Sequence, residues 1–428
     1  MHTIADNLLI VGADLRGWAN LPPQTCNVFL VGGHVAALGE HLDIAGAQVV
    51  DATGCWLTPG MVELCAAGRE PGQEQDEDLL SLSRCAAAGG YVAVAVAPDT
   101  QPSNDDHAVT ELIVRRARDL GLCDLLPIGA LTHRLQGQTL APMGEMSEAG
   151  AVAFGDADRP VLSSRMLRRA MEYARSFDKG VVTQPLDVDL AGAGVMHEGK
   201  WSTRLGLKGI PAAAEHIAVA RDIAVCQLAR GRLHVARLTS ARSVQHVANA
   251  KRDGIAVTAA VSIWNLLLTD AQLAKYEVNL RLAAPLREES DRQALLQGLR
   301  DGTIDAITCD HQPWGLAEKE VEFDRAQPGA IGLQTAWPLL CELIGAGELD
   351  EATVVRATVN MPRAILGLPP PELHDGQPAT LAVLDPTAHW QLDRSTSLSK
   401  SRNSPVWGKP LVGRVTLTVF EGRVSFAG

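Results

Sequence analysis

Eight short apolar runs alternate with helical patterns between Pro59 and Arg363, and this alternation restricts the fold more than any other feature of the sequence. The runs are residues 61–64, 91–97, 125–128, 151–154, 181–183, 233–236, 255–260 and 304–308. Residues 240–252 and 290–301 have helical spacing and are followed by the stop signals Gly254 and Gly302. Eight such alternations predict an α/β fold of the (β/α)8 barrel type. An open doubly wound sheet is the alternative, and the count of eight favours the barrel.

The two ends of the chain have a different sequence pattern, in which short apolar runs are separated by turn residues. These runs are residues 8–11, 28–31, 35–38 and 49–50 near the start, and 379–384, 391–392, 414–420 and 423–426 near the end. They predict short strands. We therefore expect residues 1–58 and 364–428 to form a small β-sandwich-like domain beside a barrel of residues 59–363. Residues 185–211 are predicted to be a long loop.

Charge and composition exclude several classes of protein. The formal net charge of −12 argues against nucleic acid and membrane partners, because both require basic surfaces. No apolar stretch reaches the ~20 residues that span a bilayer, and residues 1–7 lack the pattern of a signal peptide. The eight cysteines are scattered without a C-x-x-C pair, which indicates reduced thiols. We expect a cytoplasmic protein.

Several ordered motifs resemble class I dihydroorotases of the amidohydrolase superfamily, and the match runs from about Leu8 to Val424. The motifs are PGMVE at 59–63, REPG at 69–72, GVMHEG at 194–199, RLGL at 204–207, GIP at 209–211, TIDAI at 303–307 and SKSRNSP at 399–405. The resemblance implies the same barrel, in which functional residues follow the carboxyl ends of the strands. It also implies an enzyme that hydrolyses and closes the dihydroorotate ring with zinc.

The positions that hold zinc in that family have changed here. The resemblance places Cys65, Ala67, Ala157, Gln184 and Arg237 where the family has ligands, and Asp310 is the one family residue retained. Alanine offers no ligand atom, and an arginine brings a fixed positive charge where the cation should lie. Because ring hydrolysis in the family uses a metal-activated hydroxide, we expect no metal, no cofactor and no catalytic residue.

The family's substrate positions have changed as well. The resemblance implies that Arg69 is the retained arginine that helps to hold the substrate carboxylate. Asp99, Ala283 and Trp314 stand where the family has two asparagines and a histidine. These replacements predict that no substrate-binding site remains. Asp310 and Arg69 are then remnants, paired with each other or with Arg237.

Other polar residues are expected to have structural roles. His234 is predicted to be a core histidine and His311 a structural one, whereas His197 and His216 are predicted at the surface. The acidic run at 74–78 is predicted to be a solvated helix start, with contact to a charged partner as the alternative.

The pattern as a whole is similar to inactive dihydroorotase homologues that hold together a complex with aspartate transcarbamoylase. We therefore expect a non-catalytic pseudoenzyme that supports the catalytic chain of aspartate transcarbamoylase in pyrimidine biosynthesis and self-associates within that complex. Two alternatives remain open. One is an amidohydrolase with altered, metal-poor chemistry that uses Asp310 and Cys65. The other is a sensor that binds an acidic pyrimidine intermediate through Arg69.

Overall fold

A computed structural model describes residues 7–42 and 44–428. Residues 1–6 and residue 43 of the predicted segment 1–58 lie outside the described residues, and so does most of the stretch searched for a signal peptide.

Strands and helices alternate through the middle of the chain, with strands alone at both ends. The strands are β1 Asn7–Leu15, β2 Thr25–Val31, β3 His34–Gly39, β4 Gln48–Asp51, β5 Trp56–Thr58, β6 Met61–Ala66, β7 Tyr91–Val96, β8 Asp124–Gly129, β9 Ala153–Gly155, β10 Gly180–Thr183, β11 Met196–His197, β12 Gly209–Ile210, β13 Leu233–Val235, β14 Val257–Ser262, β15 Ala306–Thr308, β16 Leu381–Gln391, β17 Pro410–Phe420 and β18 Arg423–Ala427. The α-helices are α1 Leu79–Ala88, α2 His107–Leu120, α3 Met143–Ala149, α4 Ser164–Arg175, α5 Val188–Ala191, α6 Lys200–Leu205, α7 Ala212–Ala229, α8 Ala241–Arg252, α9 Ile263–Leu267, α10 Glu289–Arg300, α11 Leu316–Lys319, α12 Ala336–Gly345, α13 Glu351–Val355 and α14 Met361–Leu366.

The predicted barrel is confirmed. Its eight parallel strands are hydrogen-bonded in the order β6, β7, β8, β9, β10, β13, β14 and β15. The first and last strands meet at one end, where Ala66 and His311 form a parallel bridge and the Ala67 amide donates to the His311 carbonyl over 2.9 Å. All six residues of β7 are buried, as expected for a parallel strand covered on both faces. The open doubly wound sheet, the alternative reading, is excluded.

Glu63 on β6 reinforces the closure between the first and last strands. Its fully buried carboxylate accepts hydrogen bonds from the Thr308 hydroxyl and from the Cys309 amide over 2.8 Å. A buried carboxylate is tolerated where several donors satisfy it. Burial raises the pKa of Glu63, because desolvation disfavours the charged form. The residue therefore ties β6 to β15 at the level where the functional residues begin.

The terminal segments join in one sheet, which confirms the predicted small β domain. Its strands run in the order β18, β17, β16, β5, β1, β2 and β3, and β4 pairs with β1. Ile10, Leu30, Leu57 and Val383 are among the buried apolar residues of its core. The short strand predicted at 391–392 is the end of the longer β16. The proposed domain boundaries and the sandwich-like packing stay predictions.

Residues 185–211 are not the unstructured loop that the sequence suggested. They contain α5, β11, α6 and β12, and β11 pairs with β12 in a parallel ribbon. The Arg287 guanidinium donates to the Ile210 carbonyl over 3.1 Å and anchors the ribbon. Elements of two to six residues are too short to show a hydrophobic period, which is why the sequence pattern missed them.

No helix in the described part of the chain is both long and apolar enough to cross a membrane.

Candidate functional site

Five barrel strands bring the predicted site residues to one end of the barrel, which we call the mouth. Cys65 lies on β6, and Ala157 follows β9. Gln184 and Arg237 follow β10 and β13, and Asp310 follows β15. Because parallel strands end on the same side, residues far apart in sequence meet here.

The Arg237 guanidinium lies at the centre of the mouth and joins three of these loops. Its Nε–H donates to Gln184 Oε1 over 2.8 Å. One terminal nitrogen donates to Asp310 and the other donates to Asp158. Arg237 and Asp310 have side-chain exposures of 3% and 1%, whereas Asp158 is 38% exposed. The sequence had predicted a pair between Arg237 and Asp310, and the structure shows it.

Opposite charges keep this arginine protonated despite its burial. Burial works to lower the pKa of Arg237, but the neighbouring groups, Asp310 foremost and then Cys65 and Asp99, together outweigh it and the net shift is upward. A buried ion pair is tolerated where its remaining donors are hydrogen-bonded. The mouth therefore contains a permanent cation supplied by the chain itself.

The three remaining altered positions offer little to a metal ion. The pKa of the Cys65 thiol is raised to about 12, first by burial and further by the nearby acids, although Arg237 acts against this. A thiol in this state is protonated at neutral pH, and Cys65 is a single ligand where zinc requires several. Ala67 is fully buried. Ala157 adopts φ 51° and its methyl group is no ligand.

Neighbouring acids do not replace the missing ligands. Asp156 is buried and accepts hydrogen bonds from the amides of Leu131 and Thr132 over 2.8 and 3.0 Å and from the Thr132 hydroxyl. All three donors belong to the loop after β8, so the Asp156 carboxylate is bound by protein groups. Asp158 faces Arg237. Both acids that flank Ala157 therefore bind other residues of the protein and do not serve as metal ligands.

The residues of the mouth do not fit the zinc ion that the resemblance implies. A divalent ion ~4 Å from the guanidinium would be repelled by roughly 8 kcal/mol at an effective dielectric constant of ~20. Among residues 7–42 and 44–428, three metal-ligand side chains cluster within 4.8 Å at His197, Asp270 and Glu288, outside the mouth. There the Arg287 guanidinium lies 3.0 Å from His197 Nδ1 and opposes a cation.

Arg69 is buried and fully engaged by the protein. Its Nε–H donates to the Pro313 carbonyl over 3.1 Å. One terminal nitrogen lies 3.3 Å from Asp99 Oδ2, and the guanidinium carbon lies 3.9 Å from the centre of the Trp314 ring. Burial lowers the pKa of Arg69, while Asp99 acts to raise it. The replacements Asp99 and Trp314 therefore both contact the retained arginine. The predicted pairing of Arg69 with Asp310 is not seen, since Asp99 takes that place.

Ala283, the remaining altered substrate position, is half-buried in the loop before α10. It brings no side-chain polar group to the site.

A small cavity and a much larger open groove lie near the mouth. The cavity beside Ala157 and Gln184 measures about 10 Å³, close to the room that one water needs. An open groove of about 570 Å³ begins at Asp99 and continues along His133, Arg134 and Arg159. A small ligand has room in the groove, which borders the Asp99–Arg69 pair.

The histidines follow the predictions in part. His234 is buried and its pKa falls to about 4 because of that burial, as expected for a core residue. His311 Nδ1 lies 3.2 Å from the donating Gly332 amide, so Nε2 carries the proton and faces Glu77 at 3.4 Å. This is the structural role that was predicted. His216 is half-buried on α7.

Two surface predictions are wrong. His197 is buried, with 7% exposure, because the ribbon of β11 and β12 folds onto Arg287. In the acidic run, Asp78 caps α1 as predicted, but Asp76 and Glu77 are buried. Glu77 is buried because His311 and Ser399 bind its carboxylate.

Comparison with known proteins identifies the family. A family model described as dihydro-orotase-like matches residues 54–243. A dihydroorotase from Anaeromyxobacter dehalogenans is 44% identical over 98% of both chains, and one from Geotalea daltonii is 40% identical over 98% of this chain and 99% of its own. The chain belongs to the dihydroorotase family. Among solved structures, an L-hydantoinase from Arthrobacter aurescens has a TM-score of 0.83 with 21% identity, covering 97% of this chain and 95% of that one. This likeness supports the fold.

The comparisons also correct a functional prediction. We expected a pseudoenzyme in a non-catalytic, supporting role, and that prediction is wrong, because full-length relatives at 40–44% identity are dihydroorotases, which are enzymes. The altered positions are few against an identity that extends over nearly the whole chain. The mouth nevertheless differs from the zinc-binding pattern, so this family member has an unusual donor set.

Sequence reasoning missed the residues that support the mouth. Glu63, Glu77 and Asp158 each bind a residue from a distant part of the chain. The one signal available in the sequence was an acid adjoining a family motif. Such acids are too common to show which residues they contact.

The state of the Cys65 thiol gives a testable prediction. With a pKa of about 12, roughly 1 in 10,000 thiols is ionised at pH 8. We expect iodoacetamide to modify Cys65 very slowly at pH 8 in the native protein, and about tenfold faster for each added pH unit while the fold persists. Peptide mass spectrometry measures this rate. The denatured chain, in which the thiol has an ordinary pKa, is the control. Labelling of native Cys65 at the denatured rate would contradict the assignment.

Proposed function

We propose that this chain is a cyclic-amide hydrolase of the dihydroorotase type and that it works without a metal ion. The observation that carries the proposal is 44% identity to a dihydroorotase across 98% of both chains. The substrate would be a dihydropyrimidine ring that bears a carboxylate. Because the mouth does not fit zinc, the chemistry is assigned to the chain's own side chains.

Arg237 and Asp310 are the two groups that can act on a ring amide. A guanidinium has five N–H donors, and its three contacts to described residues leave two N–H bonds for a substrate oxygen. Fixed donors directed at a developing oxyanion stabilise the transition state. The second Asp310 carboxylate oxygen can accept a proton from water.

The proposed ring opening has two steps. Water attacks the ring carbonyl carbon, its proton passes to Asp310, and the carbonyl electron pair moves to the oxygen that faces Arg237. The tetrahedral intermediate then collapses, the ring C–N bond breaks, and the nitrogen takes the proton from Asp310. The product is one open-chain ureide that carries the new carboxylic acid group, and the reverse sequence closes the ring.

The groove beside Asp99 offers a route for the substrate. Its volume of about 570 Å³ accommodates a small ring. Asp99 is 29% exposed and its contact to Arg69 is long, at 3.3 Å. A substrate carboxylate can therefore displace Asp99 and pair with Arg69, which is a charge-assisted bond of the kind that orients anions.

Ring opening of dihydroorotate and ring closure of carbamoyl aspartate test the proposal. We expect slow turnover that is unchanged by added zinc or by a chelator, and a fall of about 100-fold or more in kcat for Asp310→Asn, since a general base contributes ~10²–10⁴-fold. Glu111→Gln, at an exposed position on α2, is the matched control and should retain the full rate. Rates equal to buffer in both directions would remove support for the proposal.

We also propose, from the sequence resemblance, that the chain associates with the catalytic chain of aspartate transcarbamoylase and with copies of itself. A cytoplasmic location fits the eight free cysteines. An interface of this kind usually buries ~1,200–2,000 Å² or more, and the outer helices and the terminal β sheet offer surface of that extent.

Co-expression with the cognate transcarbamoylase tests the partnership. We expect one mixed oligomer of both chains in size-exclusion chromatography with light scattering, stable at micromolar concentration. Two separate peaks under those conditions, with a fully assembled transcarbamoylase, would be evidence against it.

A further inference from the structure

We infer that Arg237 is a built-in cation that takes the place of the metal ion at the barrel mouth and excludes divalent ions from it. The guanidinium reaches Asp310 after β15, Asp158 after β9 and Gln184 after β10. It therefore joins the carboxyl ends of the strands as a shared ion would, through three oxygen acceptors supplied by three different loops.

Burial distinguishes this arrangement from a surface ion pair. Arg237 and Asp310 have side-chain exposures of 3% and 1%, so neither charge is solvated by bulk water. Each would be costly to bury alone. Asp310 therefore depends on Arg237, and a divalent ion could bind only if the guanidinium moved out of the mouth and left its own charge without these partners.

The inference about Arg237 rests on the proposed function in one respect, namely that the guanidinium acts on a substrate. Metal content and thermal stability are measured without substrate. A zinc-free protein without turnover would overturn the proposed function alone, whereas a zinc-binding protein with turnover would overturn this inference and the metal-free mechanism but not the hydrolase activity.

The untagged wild-type protein provides the first test. After incubation with zinc and dialysis, we expect far less than one zinc per chain by elemental analysis, and the same Tm with zinc or with a chelator. About one zinc per chain, with a Tm that falls on chelation, would overturn the inference.

Variants test whether the charge itself is required. Arg237→Gln should lower the Tm by several degrees, because Asp310 stays buried without a cation. Adding Asp310→Asn should restore part of that loss. Arg237→Ala should gain a rise in Tm with millimolar Mg²⁺ or Zn²⁺, and with low-millimolar guanidinium relative to sodium.

Arg221→Ala is the matched control, because Arg221 also pairs with a buried acid, Asp222, at 2.6 Å. Its Tm should fall without any response to these cations. If Arg237→Ala responds no more than Arg221→Ala, or if the double variant is no more stable than Arg237→Gln, the built-in cation is refuted.

Discussion

The ion pair between Arg237 and Asp310 is the interaction on which the barrel mouth depends. Both side chains are almost fully buried, and neither charge is stable there without the other. Asp158 and Gln184 complete the hydrogen bonding of the guanidinium. The altered positions nearby bring no competing charge, since Ala67 and Ala157 carry only methyl groups and burial raises the pKa of the Cys65 thiol to about 12.

A second set of buried polar contacts keeps the surrounding loops in position. Glu63 links β6 to the residues after β15. His311 accepts from the Gly332 amide and pairs with Glu77, which also binds Ser399. Buried polar networks are stable when every member is satisfied. These contacts hold Asp310 at the mouth independently of a metal ion.

The fold could be predicted from the sequence because barrel strands covered on both faces read as continuous apolar runs. The eight runs, the stops at Gly254 and Gly302 and the terminal β segments all correspond to observed elements. The short elements within 185–211 could not be found, because two to six residues carry no period. Likewise, the burial of His197 and Glu77 depends on Arg287 and His311, partners about 90 and 234 positions away in sequence, which no local pattern reveals.

The sequence located the residues around Arg237, but the functional conclusion drawn from them was wrong. The positions around Arg237 were located, and so was its pairing with Asp310. From the altered ligands we predicted an inactive chain, whereas full-length relatives are enzymes. Altered ligand positions bear on metal binding, whereas the full-length match to enzymes bears on activity. Asp310 and Arg69, to which we assign roles in the proposed function, remain at the mouth.

A crystal structure of the untagged protein grown with excess zinc, with anomalous data collected on both sides of the zinc absorption edge, tests the central claim most directly. We expect guanidinium density between Asp310 and Asp158 and no anomalous peak in the mouth. A zinc peak bound by Asp310, with Arg237 turned away from it, would contradict the account.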